Sequence, residues 1–211
     1  MTGVVTISAA FGAGGSVIGP AVAEHLGVPF VDRAIPYTVA AEIGCSLEEA
    51  LAHDDRAEHG LGRILAGAAR LPNVTLGGMD VHLPQRGVLP EEEFVRRTEQ
   101  VIKEVADRGE GAVILGRAAQ IVLAGHPGAL HVRLDGSRER RIARVRESLE
   151  LSAHEAERLL IDSDRARTAY VKHFYRADPA DPGLYHLVID STRLAAAACV
   201  DMVVTAAHAI S

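Results

Sequence analysis

Three observations predict an α/β fold in which helices cover both faces of a parallel sheet. Five short apolar runs are spaced along the chain, helical patterns separate them, and the first run passes through a glycine-rich turn directly into a helix. Brief apolar or β-branched runs bounded by turn or charged residues read as buried strands. Strands that alternate with helices need crossover connections, and these place the helices on the faces of the sheet.

The elements follow in order. VVTI (4–7) reads as the first strand, and the glycines Gly12, Gly14 and Gly15 lead into a helix over 15–26. VPFV (28–31) is the second strand, followed by helical patterns at 34–43, 46–52 and 56–69. The stretch LPNVTLGGMDVHLPQRGVLP (71–90) carries three prolines and several glycines, so it reads as a loop, and a loop of that length inside a compact domain is usually functional or mobile. A helix at 91–108 precedes GAVILG (111–116) and ALHVRL (129–134), the third and fourth strands. Helices at 137–149 and 152–175 form a pair, broken near Leu151 and Ser152, where Ser152 and Glu155 have the spacing of a capping box. HLVID (186–190) is the fifth strand, and a final helix covers 194–208.

Composition narrows the class. The 211 residues fit one domain, 1–211, with an insert, and are enough for a substantial core. A hydrophobic share of 48%, a charged share of 24% and a net charge of −6 exclude a disordered chain or one that coats nucleic acid. An anionic ligand must then be caught by a local basic patch. The C-terminal run LAAAACVDMVVTAAHAI is interrupted by Asp201 and His208 and is periodic, so it reads as a packed helix, and no membrane role is expected. Two cysteines, Cys45 and Cys199, without a charged and apolar leader, predict reduced thiols and a cytoplasmic protein. The ten histidines lack ligand spacing, which argues against a metal cage.

Three features carry the chemistry. Aligned on its strand and helix, SAAFGAGGSVIG matches the phosphate-loop pattern G-x-x-x-x-G-K-[ST] at Gly14 and Ser16, with Ala9 at the first glycine and Gly15 at the lysine. Backbone N–H groups of residues 12–16 can still converge on an anion at the positive end of a helix; the alternative is a glycine turn that only lets backbones pack closely. Arg117 follows the third strand, at the sheet edge where ligands of open parallel sheets sit; the alternative is a solvated arginine at a helix start. Arg140 and Arg144 share a helical face with Arg141 beside them, and Asp164, Arg165, Arg167 and Lys172 follow on the second helix of the pair. Guanidinium groups bind phosphate oxygens in pairs, so such a hairpin can close over polyphosphate; the alternative is a solvated face laced with glutamates. Asp32 ends the second strand, either as a site carboxylate or as a turn residue.

Taken together these segments resemble the cytidylate-kinase-like family, a branch of the nucleoside monophosphate kinases with the P-loop kinase fold. The resemblance runs through the opening loop, AAEIGCSLEEALAHDD, EQVIKEVADRGEGAVILGRAAQIVL, LHVRLDGSRERRIARV, DSDRARTAYVKHFY and YHLVIDSTRLAAAACVDMVV. It implies a five-stranded parallel sheet, an acceptor-side insert at 36–90 and a lid-like helix pair at 137–176. It implies donor-phosphate contacts from Gly12, Gly14, Gly15, Ser16 and Arg140, with the Ser16 hydroxyl at the position that meets Mg²⁺. Arg117, Arg144, Arg165 and Arg167 match catalytic arginines, and Asp32 and Asp164 match substrate-binding positions. ATP and Mg²⁺ are the implied cofactors and a small nucleotide such as CMP the partner; a homodimer is one compatible assembly.

The loop also departs from the family. Members read close to ISREFGSGGREIG, whereas this chain has Ala9 and Ala10 for the first R-E pair, Ser16 and Val17 for the second, and Pro20 where a basic residue is common. Each lost charge-assisted contact to the transferring phosphate costs about 2–4 kcal/mol of transition-state stabilisation. Two functions therefore stand: a phosphotransferase from ATP to CMP or a similar small acceptor, and a catalytically impaired pseudokinase acting as a nucleotide sensor or interaction protein. Kinase action on a non-nucleotide small molecule is a third.

Overall fold

The computed structural model describes residues 3–32 and 91–210. The helices expected at 34–43, 46–52 and 56–69 and the loop expected at 71–90 lie outside the described residues. Strands β1 (Val4–Ala9), β2 (Phe30–Val31), β3 (Ala112–Leu115), β4 (Ala129–Asp135) and β5 (Leu187–Asp190) form one all-parallel sheet in the order β2-β3-β1-β4-β5. β1 lies at its centre, with Val5 opposite Val113 on one side and Leu130 on the other. The second strand is shorter than the expected 28–31 because Pro29 has no N–H to give the ladder; its carbonyl alone takes part, accepting from Val113 N–H at 2.9 Å.

Side-chain alternation along the strands builds two cores. Val5, Ile7, Val113, Val132 and Leu134 pack beneath α1 (Gly15–Leu26) and the C-terminal helix, while Val4, Ala112 and Ile114 pack beneath α2 (Glu91–Asp107) and the one-turn α3 (Ala119–Val122). Layers of helix, sheet and helix result. Helices α4 (Arg138–Leu149) and α5 (Ala153–Tyr175) leave the sheet as a pair with their own small core of Phe11, Val145, Ala156 and Leu160. Phe11 belongs to the glycine turn, so this core also anchors the turn to the pair. The C-terminal helix is α6 (Ala196–Ala209); among the described residues no helix is long and apolar enough to cross a membrane.

Helix ends agree with local chemistry. Ser152 caps α5 in a capping box, accepting from Glu155 N–H at 3.3 Å while the Glu155 carboxylate accepts from Ser152 N–H at 3.0 Å. Ser137 caps α4, accepting from Arg140 N–H at 3.4 Å.

Candidate active site

All five strands end at one cleft of about 760 Å³. The turn after β1, Asp32 after β2, Gly116 and Arg117 after β3, Asp135 at the end of β4 and Ser191 after β5 all line it. An open parallel sheet binds ligands beyond the carboxyl ends of its strands, where the connections diverge to opposite sides. Helices α4 and α5 form the far wall through Arg144, Val145, Asp164 and Arg167.

The turn itself is shaped by glycine. Gly12 and Gly14 have φ of 79° and 82°, the left-handed region that side chains avoid. Gly14 caps α1 without a side-chain hydrogen bond, which leaves the first N–H groups of the helix for an external acceptor. Among the described residues nothing accepts from the N–H groups of Gly12, Gly14, Gly15 or Ser16. Phe11 is gripped at both ends of its backbone. Its N–H donates to Asp164 Oδ1 at 3.2 Å, its carbonyl accepts from Arg141 Nη1 at 3.0 Å, and Arg141 Nη1 also reaches Asp164 Oδ2 at 2.6 Å. Arg167 Nη1 donates to the Ala9 carbonyl, and the Ser191 hydroxyl to the Ala13 carbonyl at 2.6 Å.

Arginines surround this turn in different states. Arg144 Nη2 donates to the Ser191 carbonyl at 2.7 Å, and its Nη1 lies 3.7 Å from where a Cβ on Gly14 would stand. A cation thus reaches the turn from α4, although the turn has no lysine. Arg133 is committed to the floor, with Nε and Nη2 on Asp135 Oδ2 at 3.0 and 2.7 Å and Nη1 on the Pro179 carbonyl at 2.7 Å. Tyr185 seals that floor by donating to the same Pro179 carbonyl at 2.8 Å. Arg117 stands at a sharp corner, where Gly116, Arg117 and Ala118 all have positive φ of 78°, 58° and 53°. Consecutive non-glycine residues in that region store strain of roughly 1–2 kcal/mol each, which surrounding structure must impose. Burial pushes the Arg117 guanidinium down to about 10, against the opposing effects of Asp32 and then Tyr170, and it is charged at neutral pH.

The sequence-expected residues divide in two. Gly12, Gly14, Gly15, Ser16, Asp32, Arg117, Arg144, Asp164 and Arg167 meet at the cleft; Arg140 and Arg165 are not among its lining. Arg165 is exposed on α5, and Arg140 faces the Asp190 carboxylate. Asp164 stands in the cleft wall with its carboxylate engaged by Phe11 and Arg141. Sequence reasoning named Arg141 only as the neighbour of Arg140 and Arg144, and passed over Arg133, Asp135 and Ser191. Asp135 and Ser191 carry the strand-end signal that singled out Asp32, whereas nothing in the spacing of Arg140, Arg141 and Arg144 says which one turns inward. Val17, on the first turn of α1, is 63% exposed and lines the cleft as an apolar side chain.

Residues 4–193 match the model of the cytidylate kinase-like family. The chain belongs to that family. Solved structures superpose on this cytidylate kinase-like chain over nearly its whole length. An uncharacterised protein from Eubacterium ventriosum superposes with a TM-score of 0.66 at 17% identity, over 98% of each chain. A gluconokinase from Sinorhizobium meliloti gives 0.53 at 16% identity, over 99% of this chain and 93% of its own. Shikimate kinase from Acinetobacter baumannii, solved in complex with shikimate, gives 0.51 at 15% identity, over 99% and 94%. At such identities the likeness is one of fold, and the fold is that of the P-loop kinases. No curated protein matches the sequence.

Proposed function

We propose that this cytidylate kinase-like chain is a phosphotransferase that moves the terminal phosphoryl group of ATP to CMP or a similar small acceptor. The observation that carries the reading is the pairing of an N–H-lined glycine turn with Arg144, whose guanidinium comes to Gly14 from α4. Phosphoryl transfer asks a protein for alignment and charge neutralisation more than for covalent chemistry. The N–H groups of Gly12, Gly14, Gly15 and Ser16, with the positive end of α1, hold the donor phosphates. Arg144 offsets charge on the donor side, Arg117 and Asp32 face the acceptor side, and Arg167 and Asp164 hold the turn to α5. Arg140 and Arg165 are not among the cleft lining.

The donor set fits Mg²⁺: the Ser16 hydroxyl is exposed at the second position of α1, a hard oxygen of the kind this ion takes together with phosphate oxygens and water. When bound with the triphosphate, Mg²⁺ supplies neutralisation of the phosphoryl oxygens.

A coupled assay with ATP, Mg²⁺ and a panel of nucleoside monophosphates tests the proposal. Turnover that falls about 100-fold in Arg144→Ala supports it, in line with the loss of one charge-assisted transition-state contact. Absence of turnover with every acceptor sinks it. The second reading, a pseudokinase that binds nucleotide as a sensor, is favoured by Val17, an apolar side chain in the cleft mouth where the family carries charge. It expects thermal stabilisation by ATP without transfer.

A further inference from the structure

We infer that Ser191 is a positioning residue of the donor-phosphate site, acting with Arg141 through loop carbonyls that they hold away from the cleft. The inference rests on the reading of the turn as that site. In a planar trans peptide the carbonyl and the following N–H point in opposite directions, so capturing one aims the other. Arg141 Nη1 captures the Phe11 carbonyl at 3.0 Å and so directs the Gly12 N–H. The Ser191 hydroxyl captures the Ala13 carbonyl at 2.6 Å and so directs the Gly14 N–H. These are two of the four N–H groups left without an acceptor among the described residues.

Two further carbonyls of the turn are bonded locally. That of Ala10 accepts from Ala13 N–H at 2.9 Å, and that of Gly14 from Val17 and Ile18 N–H at 3.1 and 2.9 Å. Ser191 can hold its target firmly because it is itself fixed. It is 1% exposed, its N–H donates to the Asp135 carbonyl at 3.1 Å, and its own carbonyl accepts from Arg144 Nη2 at 2.7 Å. One residue after β5 thus sets the direction of a nest donor and holds the cation that stands beside it. In a loop without lysine, phosphate affinity depends on that backbone arrangement more than on any single side chain.

The test compares phosphate-bearing and phosphate-free ligands by equilibrium titration of the full chain. With Ser191→Ala, affinity for ADP falls about tenfold while affinity for adenosine stays within about twofold, since a hydrogen bond to the loop is lost and the base site is untouched. Ser191→Cys, close in size but a poor donor, shows the same selective loss to a smaller degree and carries the comparison if the alanine variant does not fold. Equal losses for the two ligands, unchanged ADP affinity, or a native chain that binds ADP no more tightly than adenosine overturns the inference. ADP binding without turnover defeats the phosphotransfer reading alone. Turnover by a chain whose Ser191 variants keep native ADP affinity defeats only the role of Ser191.

Discussion

Ala9 and Gly15 face each other across the base of the glycine turn, and their contact explains why the loop differs from the phosphate-loop pattern at both positions together. A Cβ on Gly15 would stand 2.6 Å from the Ala9 Cβ and 3.1 Å from Leu115 Cδ1, both on the rigid sheet. A lysine at 15 therefore needs a glycine at 9. Gly15→Lys alone is expected to lower the unfolding free energy by about 2 kcal/mol, within the range of about 1–3 kcal/mol that overpacking typically costs, read from urea unfolding. Ala9→Gly with Gly15→Lys is expected to recover most of that loss and to tighten ATP binding, a non-additivity that a double-mutant cycle reads directly. Gly12 is restricted in another way. At φ 79°, with a Cβ only 2.8 Å from the Arg141 carbonyl, Gly12→Ala must push α4 off the turn. Strain and overpacking together predict about 3 kcal/mol of destabilisation by denaturant unfolding and loss of ADP binding.

At the scale of elements, α4 and α5 are bound to the turn by polar contacts as well as by packing. The capping box at Ser152 fixes where α5 begins and hence which of its side chains reach the turn; Ser152→Ala is expected to cost about 1 kcal/mol, read as a lower melting temperature, with little change in turnover. Helix α1 is less regular. Pro20 lies inside it and cannot donate to the Ser16 carbonyl, yet the helix continues to Leu26 because Ile18, Val22 and Ala23 are buried against the sheet. The short α3 escapes the sequence pattern, since one turn of helix has too few residues to show a period. The boundaries of α4 and α5 were legible within a residue, because serine caps announce both.

For the molecule as a whole, the buried polar pair at the sheet centre makes stability depend on pH. His131 Nδ1 lies 2.8 Å from Thr6 Oγ1, and its ring stacks on His186 at 4.9 Å between centroids. Burial, then the nearby His186, push His131 down to about 4, with a further lowering from His126. The unfolded chain binds this proton near pH 6.5 and the folded one does not, so the stabilisation is complete above about pH 6.5 and is lost as pH falls towards 4. A loss on the order of 3 kcal/mol across that window is expected in urea midpoints, and His131→Asn should flatten the slope.

The alternation of apolar runs and helical periods determined the sheet, its helical layers and the position of the glycine turn, because those patterns follow from local periodicity and burial that each segment carries alone. Family membership was legible for the same reason: its motifs are contiguous. What only the tertiary structure decided is which charged side chains reach the cleft. Arg140, Arg141 and Arg144 lie on one helix, yet Arg140 stays outside, Arg141 is spent on Phe11 and Asp164, and Arg144 arrives at Gly14. The packing of α4 against the turn makes that choice, and a repeat of arginines on one helix does not encode it. Ser191 is the sharper case, since its hydroxyl meets a carbonyl 178 residues earlier only because β5 and the turn end at the same edge of the sheet.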